Sequence, residues 1–330
     1  MKAILCEAFR DPSTLVLREL PSPQPGPKQV VIRVRAAGVN FPDALMVQGK
    51  YQFKPELPFA PGLEFAGTIL SVGAEVAHLK PGDKVAATST HGGYAQEVAV
   101  DAGNVIALPA DLGDAALKQA GSMIITYGTT LHALQDRAQV KAGETLLVLG
   151  AGGGVGLAAV ELGRLLGLRV IAAASSTDKL DAARKFGAQE TIDYSREDLR
   201  ERIKAITNGR GVDIVYDPVG GAFTEPALRS VGWGGRYLVI GFAAGEIPKI
   251  PTNLLLLKGS ALVGVFWGEF ARRQPVDNAA NLHKLFGWLR EGRILPPVTA
   301  RYPLAQASAA LEALLQRRAI GKLVILPQED

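Results

Sequence analysis

Cysteine, histidine and long unbroken apolar runs are scarce in this 330-residue sequence, and each scarcity removes a class of protein. The single cysteine, Cys6, excludes an intramolecular disulfide framework and any cysteine-cluster metal site, and it fits a reducing, cytoplasmic setting. Only four histidines are present, His78, His91, His132 and His283, and none stands at the spacing of a metal-ligand pair. Runs of lysine and arginine are missing too: 36 basic and 32 acidic residues leave a net charge of +4 with no block of either sign. Nucleic-acid binding therefore gets no support, although a weak positive field favours an anionic cofactor. The longest apolar stretch, "TLLVLGAGGGVGLAAV", is glycine-rich and passes into the charged "ELGR", which suits a buried strand and helix better than a membrane span. Charges interrupt the N-terminal "MKAILCEAFRD" too early for a signal peptide, so a soluble protein is expected.

What is present is organised in two textures. The first third is punctuated by proline and glycine at 21–29, 55–62 and 79–85. Short β-rich runs lie between, at 30–39, 65–73, 84–88 and 94–100, and predict a compact, partly barrel-like β domain. From about residue 126 helices and apolar strands alternate. Helices are predicted at 125–140, 157–167, 177–187 and 196–207, and strands at 145–150, 169–174, 190–193, 212–217, 235–241 and 260–265. This rhythm predicts an α/β, doubly wound parallel sheet covered on both faces. The last stretch reads as two helices and the strand "KLVIL" at 322–326, which returns to the first domain and makes it discontinuous. The expected division is 1–125 with 266–330, and 126–265.

The strongest signal is "LGAGGGVG" at 149–156, which follows a buried strand and opens a helix. Gly150, Gly153 and Gly156 recur every third residue, with Gly152, Gly154 and Val155 between them. A pyrophosphate must lie against free backbone N–H groups at a helix N-terminus, and side chains there would block it. Strand, loop and helix in that order make dinucleotide binding the reading, against a merely structural tight turn. A binder of NAD usually carries Asp or Glu at the tip of the second strand, to hold the ribose 2′-hydroxyl. Here "RVIAAA" ends at Ala174 and continues Ser175, Ser176, Thr177, Asp178, Lys179. A 2′-phosphate is accepted by Ser175, Ser176 and Lys179, with Tyr194 and Arg196 near the same pocket, so NADPH is favoured.

These residues carry a resemblance. With "AAGVNFPDALMVQGKY" (36–51), "PFAPGLEFAGTI" (58–69), "GGYAQE" (92–97), "TYGTTLHAL" (126–134), "GVDIVYDPVGG" (211–221) and "GKLVI" (321–325), the chain closely resembles the medium-chain dehydrogenase/reductase superfamily. Within it, the resemblance is to the zinc-independent, zeta-crystallin-like quinone oxidoreductase branch. It implies a Rossmann cofactor domain, a GroES-like catalytic domain, and a homodimer or tetramer. Where alcohol dehydrogenases of the superfamily have Gly-His-Glu, this chain has Gly62-Leu63-Glu64, and Gly38 and Val39 stand where their cysteine ligand lies. Catalytic zinc, which takes about three protein ligands, is not expected. The resemblance assigns Asn40, Tyr51 and Thr126 to the cleft beside the nicotinamide. Asn40 or Thr126 would orient cofactor or substrate, and Tyr51 would donate a hydrogen bond or proton to a developing oxyanion. Against this, Asn40 could cap local backbone and Tyr51 could pack in its loop. The same resemblance places Gly241, Phe242, Phe266, Trp267 and Lys322 along the cofactor. Trp267 has the alternative of a subunit contact, because "SALVGVF" would be an edge strand able to pair with its copy.

Three functions follow. The leading one is NADPH-dependent quinone reduction. The second is enoyl reduction of an α,β-unsaturated carbonyl or acyl thioester, which needs the same hydride geometry. The third is a non-catalytic NADPH-binding structural or RNA-binding protein.

Overall fold

The computed structural model describes residues 1–329. The chain forms two compact units, one made of Met1–Ile125 with the chain from Leu282 onward, the other of Thr126–Asn281. The second crossing therefore falls inside the helix Pro275–Arg290, not at 265/266 as the sequence suggested. The helix Trp267–Arg273 stays with the second unit, because the indole N–H of Trp267 donates to Asn278 and its ring lies against Gly128.

In the second unit six strands form one parallel sheet, ordered Glu190–Asp193, Arg169–Ala174, Thr145–Leu149, Val212–Asp217, Val231–Val239, Ala261–Gly264. Counted along the chain this is the order 3-2-1-4-5-6 of a Rossmann fold, with its reversal between the first and fourth strands. The central strands are apolar on both faces, since helices cover both: Leu146, Leu147, Val148 and Leu149 have no accessible surface. Small residues set the approach of the first helix, Gly154–Leu165. A Cβ on its Gly163 would press on Leu146 of the neighbouring strand at 2.8 Å. The strand Val231–Val239 starts four residues earlier than its sequence suggests, because an irregular register opposite Val212 and Ile214 accommodates "GWGG". The predicted helix at 125–140 is an α-helix over Ile124–Leu131 that widens into a π-helix over His132–Arg137.

In the first unit the strand Gln29–Gly38 is the hub. It pairs antiparallel with Glu64–Val72, with Glu97–Asp101 and with Lys322–Leu326, so the C-terminal strand does return here. The sheet continues through Lys84–Thr88 to Val105–Ala107 on one side and to Val298–Pro303 on the other. Val298–Pro303, "VTARYP", escaped the sequence reading. It alternates polar and apolar residues and ends in proline, as an edge strand does. Bulges in the hub strand and strong curvature give the barrel-like, GroES-like form around a core of Val30, Ile32, Val34, Phe65 and Ile325.

Candidate active site

The glycine loop is built as dinucleotide chemistry requires. The strand Thr145–Leu149 ends at Gly150, whose φ of 59° lies in the left-handed region open to glycine. Gly153 turns the chain back with its N–H on the Gly150 carbonyl at 3.0 Å, and the helix starts at Gly154. Its first i→i−4 bond is donated by Leu157 to Gly153, at 2.8 Å. The N–H groups of Gly154, Val155 and Gly156 come before that bond and have no carbonyl one turn back to accept from them. A Cβ on Gly156 would run into the Gly150 carbonyl, so only glycine lets this helix close on its strand. A Cβ on Gly153 would meet nothing closer than 3.5 Å, which leaves the side above the loop open. Exposed N–H donors at the positive end of a 12-residue helix fit a pyrophosphate.

Beside this loop the next strand and helix supply the hydroxyls and the cation. Lys179, in the first turn of Thr177–Lys185, lays its aliphatic stem over Gly152, where a Cβ would meet the lysine Cβ at 2.5 Å. Its Nζ reaches Ser175 Oγ at 3.4 Å, and Ser176 stands at the N-cap position with no capping bond from its side chain. Parallel pairing sets Asp193 opposite Ala174, which brings Tyr194 to the same strand tip, with its N–H on the Ala174 carbonyl at 3.1 Å. The ring of Tyr194 rests on Phe223 with centroids 4.2 Å apart. Thus Lys179 lies over Gly152 and reaches Ser175, with Ser176 next in the chain and the Tyr194 backbone at the neighbouring strand tip.

On its other edge Asp217 organises the backbone. Its Oδ1 accepts from the N–H groups of Val219 and Gly220, at 2.7 and 2.9 Å. Its Oδ2 accepts from the Tyr237 and Thr224 hydroxyls, at 2.6 and 3.2 Å. Its carbonyl takes the N–H groups of Ile240 and Gly241, and Phe242 packs against Gly220. Farther along, Phe266 is 59% exposed. Thr126 is buried and its carbonyl accepts from the Thr130 hydroxyl at 2.8 Å.

The first unit holds a buried polar cluster. Lys322 and Glu64 are both essentially inaccessible and pair at 2.9 Å. Lys322 Nζ also donates to Asn40 Oδ1 at 2.8 Å and to the Val39 carbonyl at 3.0 Å. Glu64 Oε1 accepts from Asn40 Nδ2 at 2.9 Å, and its Oε2 accepts from the Ile125 N–H at 2.9 Å. Each polar side-chain atom of Lys322, Glu64 and Asn40 has at least one hydrogen-bond partner, which is the condition for holding such a pair. One helical turn away, Asp43 accepts from the Asn40 N–H at 2.8 Å, the Leu63 N–H at 3.1 Å and the Tyr94 hydroxyl at 3.1 Å. Burial dominates its ionisation and pushes the carboxyl up to about 7, with Glu64 adding to the rise and Asn40, Lys322 and Tyr94 opposing it. Tyr51 is half-buried against the core of this unit, and burial with the nearby Asp43 charge pushes its phenol above the usual tyrosine range.

Residues 26–110 match the family described as alcohol dehydrogenase GroES-like domain, and residues 154–283 the family described as zinc-binding dehydrogenase. Quinone oxidoreductase-like protein 2 of Bos taurus is 36% identical over 98% of this chain and 92% of its own length. The quinone oxidoreductase of Pseudomonas aeruginosa is 35% identical over 99% of both chains. The chain belongs to the quinone oxidoreductase-like branch of the medium-chain dehydrogenases/reductases. The Escherichia coli quinone oxidoreductase, solved in complex with NADPH, superposes with a TM-score of 0.90 at 29% identity, covering 99% of this chain and 100% of that one.

For a quinone oxidoreductase-like chain, three of the expected site residues have partners within their own unit. Lys322, expected along the cofactor, donates its ammonium to Glu64, Asn40 and the Val39 carbonyl inside the first unit. Asn40 is likewise held at both ends of its amide, so it braces Lys322 and Glu64 rather than offering a free polar group. Trp267 is engaged within its own unit by Asn278 and Gly128, not on an open surface. Sequence reasoning passed over Asp43, Glu64 and Asp217 as organising residues. Two signals were present: Asp43 stands three residues after the helix cap Asn40, as in a capping box, and Asp217 ends a buried strand before "PVGG".

Proposed function

We propose that this chain is an NADPH-dependent oxidoreductase that passes hydride to a quinone without a catalytic metal. The observation that carries the reading is the convergence of Ser175 and Lys179 on Gly152, where no carboxylate stands at the second strand's tip. The Gly154, Val155 and Gly156 N–H groups would hold the pyrophosphate, and Ser175, Ser176, Lys179 and Tyr194 the 2′-phosphate. Bound NADPH supplies the hydride, from C4 of its nicotinamide. Gly241, Phe242, Phe266 and Trp267 are assigned to the nicotinamide side, with Thr126 beside it.

Tyr51 is the proposed donor to the oxyanion that forms as a carbonyl accepts hydride. Its raised phenol keeps the proton through neutral pH, which suits a hydrogen-bond donor. A metal-free reaction is supported by Leu63 in place of a ligating histidine and by the full complement of partners on Glu64. Among the described residues, no three His, Cys, Asp or Glu side chains gather in a metal-binding arrangement. A quinone needs little activation beyond alignment, so positioning supplies much of the catalysis.

A homodimer is part of the same reading. Ala261–Gly264 is an open sheet edge, with Leu262 41% and Leu256 81% exposed, and pairing with a second copy would cover both. No helix among the described residues is long and apolar enough to cross a membrane, and the lone, buried Cys6 agrees with a reducing cytoplasm.

The test is turnover of NADPH against a panel of simple quinones and enones, with and without a strong chelator. Quinone reduction that survives chelation is expected. Enone-only turnover would transfer the function to enoyl reduction, and loss on chelation would overturn the metal-free mechanism.

A further inference from the structure

At the opposite end of the cofactor unit's sheet lies a groove that the hydride chemistry does not use. It opens where the strands Val212–Asp217 and Val231–Val239 begin, whereas the glycine loop lies beyond the carboxyl end of their parallel neighbour Thr145–Leu149. A six-residue strand separates the two ends by roughly 20 Å. The cavity is about 340 Å³, within the range of small-molecule sites.

Its lining is strongly basic. Arg200 and Lys204 stand one turn apart on the helix Leu199–Ile206, so their side chains project from the same face. Arg210 comes from the glycine-flanked turn 209–211, while Arg229 and Lys258 close the far wall. Only Arg229 has a close acidic partner among them, Glu225, which takes both its Nε and an Nη at 2.8 and 2.6 Å. Glu201 is the single acid on the rim. Lys258 is held by carbonyls alone, those of Arg229 and Val231, and its ammonium is pushed down by burial and then by Arg200 and Arg229. Like charges facing one cavity without counter-charge are unfavourable for folding and favourable for an anion.

The second component is Trp233. It is 83% exposed, on a strand segment flanked by Gly232, Gly234 and Gly235, with its six-membered ring beside Gly259, and it lines the same groove. An indole left in water beside a cluster of cations is complementary to a planar ring carrying phosphates. One aromatic residue and a bounded cavity suit a single base, and no further aromatic residue of the lining extends the platform for a strand.

We propose that this groove is a second ligand site that takes a nucleoside polyphosphate, with phosphates on Arg200, Lys204, Arg210 and Lys258 and the base stacked on Trp233. The site is independent of the hydride reaction, since it shares no residue with the glycine loop. The experiment is calorimetric titration of ATP, and separately of inorganic tripolyphosphate, into protein already saturated with NADPH so that the cofactor loop is filled. ATP is expected to bind, and the double substitution Lys204→Glu and Arg210→Glu to weaken it at least tenfold. Trp233→Ala is expected to weaken ATP about five- to tenfold while leaving tripolyphosphate unchanged. All the changed side chains are on the surface, so NADPH affinity and melting temperature should match the parent and show that each variant is folded. No ATP binding beside NADPH, or ATP affinity untouched by the charge reversals, would overturn the site. Equal loss of ATP and tripolyphosphate in Trp233→Ala would overturn base recognition. A Trp233→Ala protein that falls from oligomer to monomer, with no ATP bound by the parent, would mean that a second copy covers the groove.

Discussion

The proposed function concentrates the choice between the two nicotinamide cofactors at Lys179. It is pinned over Gly152 and reaches Ser175, so its charge stands at the strand tip where a carboxylate would repel a 2′-phosphate. Lys179→Ala should lower kcat/KM for NADPH about tenfold and change that for NADH less than twofold. Steady-state kinetics with both cofactors checks this. Asp43 makes a second residue-scale prediction. Its carboxyl is raised to about 7 in the folded chain against an ordinary value of 3.8, so between these values the folded state holds a proton that the unfolded state has lost. Stability from this group therefore falls as pH rises from about 4 to 7 and levels off above, with a slope approaching 1.4 kcal/mol per pH unit. Urea unfolding across that range should show the slope in the parent, relative to Asp43→Asn, where it is absent. These residues also mark the limit of sequence reading. The glycine loop, with Ser175, Ser176 and Lys179 close behind it in the chain, was open to a sequence reading because its pattern is local. The partners of Lys322 were not legible because they lie 258 and 282 positions away, at Glu64 and Asn40, and only strand pairing brings them together.

Among elements, the six parallel strands were legible because burial on both faces makes each a nearly continuous apolar run. Boundaries failed where backbone irregularity intervened: the register shift before Arg236, the π-helix at His132–Arg137, and the edge strand Val298–Pro303, whose exposure dilutes its pattern. Exposure of the other edge, Ala261–Gly264, carries a prediction instead. Its outward Leu262 and the neighbouring Leu256 and Leu257 are apolar surface that a lone copy would leave in water. Leu262→Lys should convert a dimer to a monomer in sedimentation velocity, because a charge on an edge strand blocks pairing. An unchanged mass would place the subunit contact elsewhere.

At the scale of the whole molecule, the sequence already implied two units and the return of the final strand to the first of them. The exact crossing was not legible, because it falls inside the continuous helix Pro275–Arg290, where composition does not change. Each unit contributes a different kind of order. The cofactor unit presents the first N–H groups of a helix at its glycine loop with a cation from the next helix beside it, while the GroES-like unit locks Asn40, Asp43, Glu64 and Lys322 into a buried hydrogen-bonded cluster. That division fits an enzyme whose cofactor does the chemistry while its protein supplies position and one proton donor. The decisive measurement is the initial rate of nicotinamide oxidation by a simple quinone, after chelation, with NADPH and with NADH at matched concentrations. The proposed reaction requires quinone-dependent turnover with NADPH favoured at least tenfold. Absence of turnover with either cofactor, or preference for NADH, would contradict it.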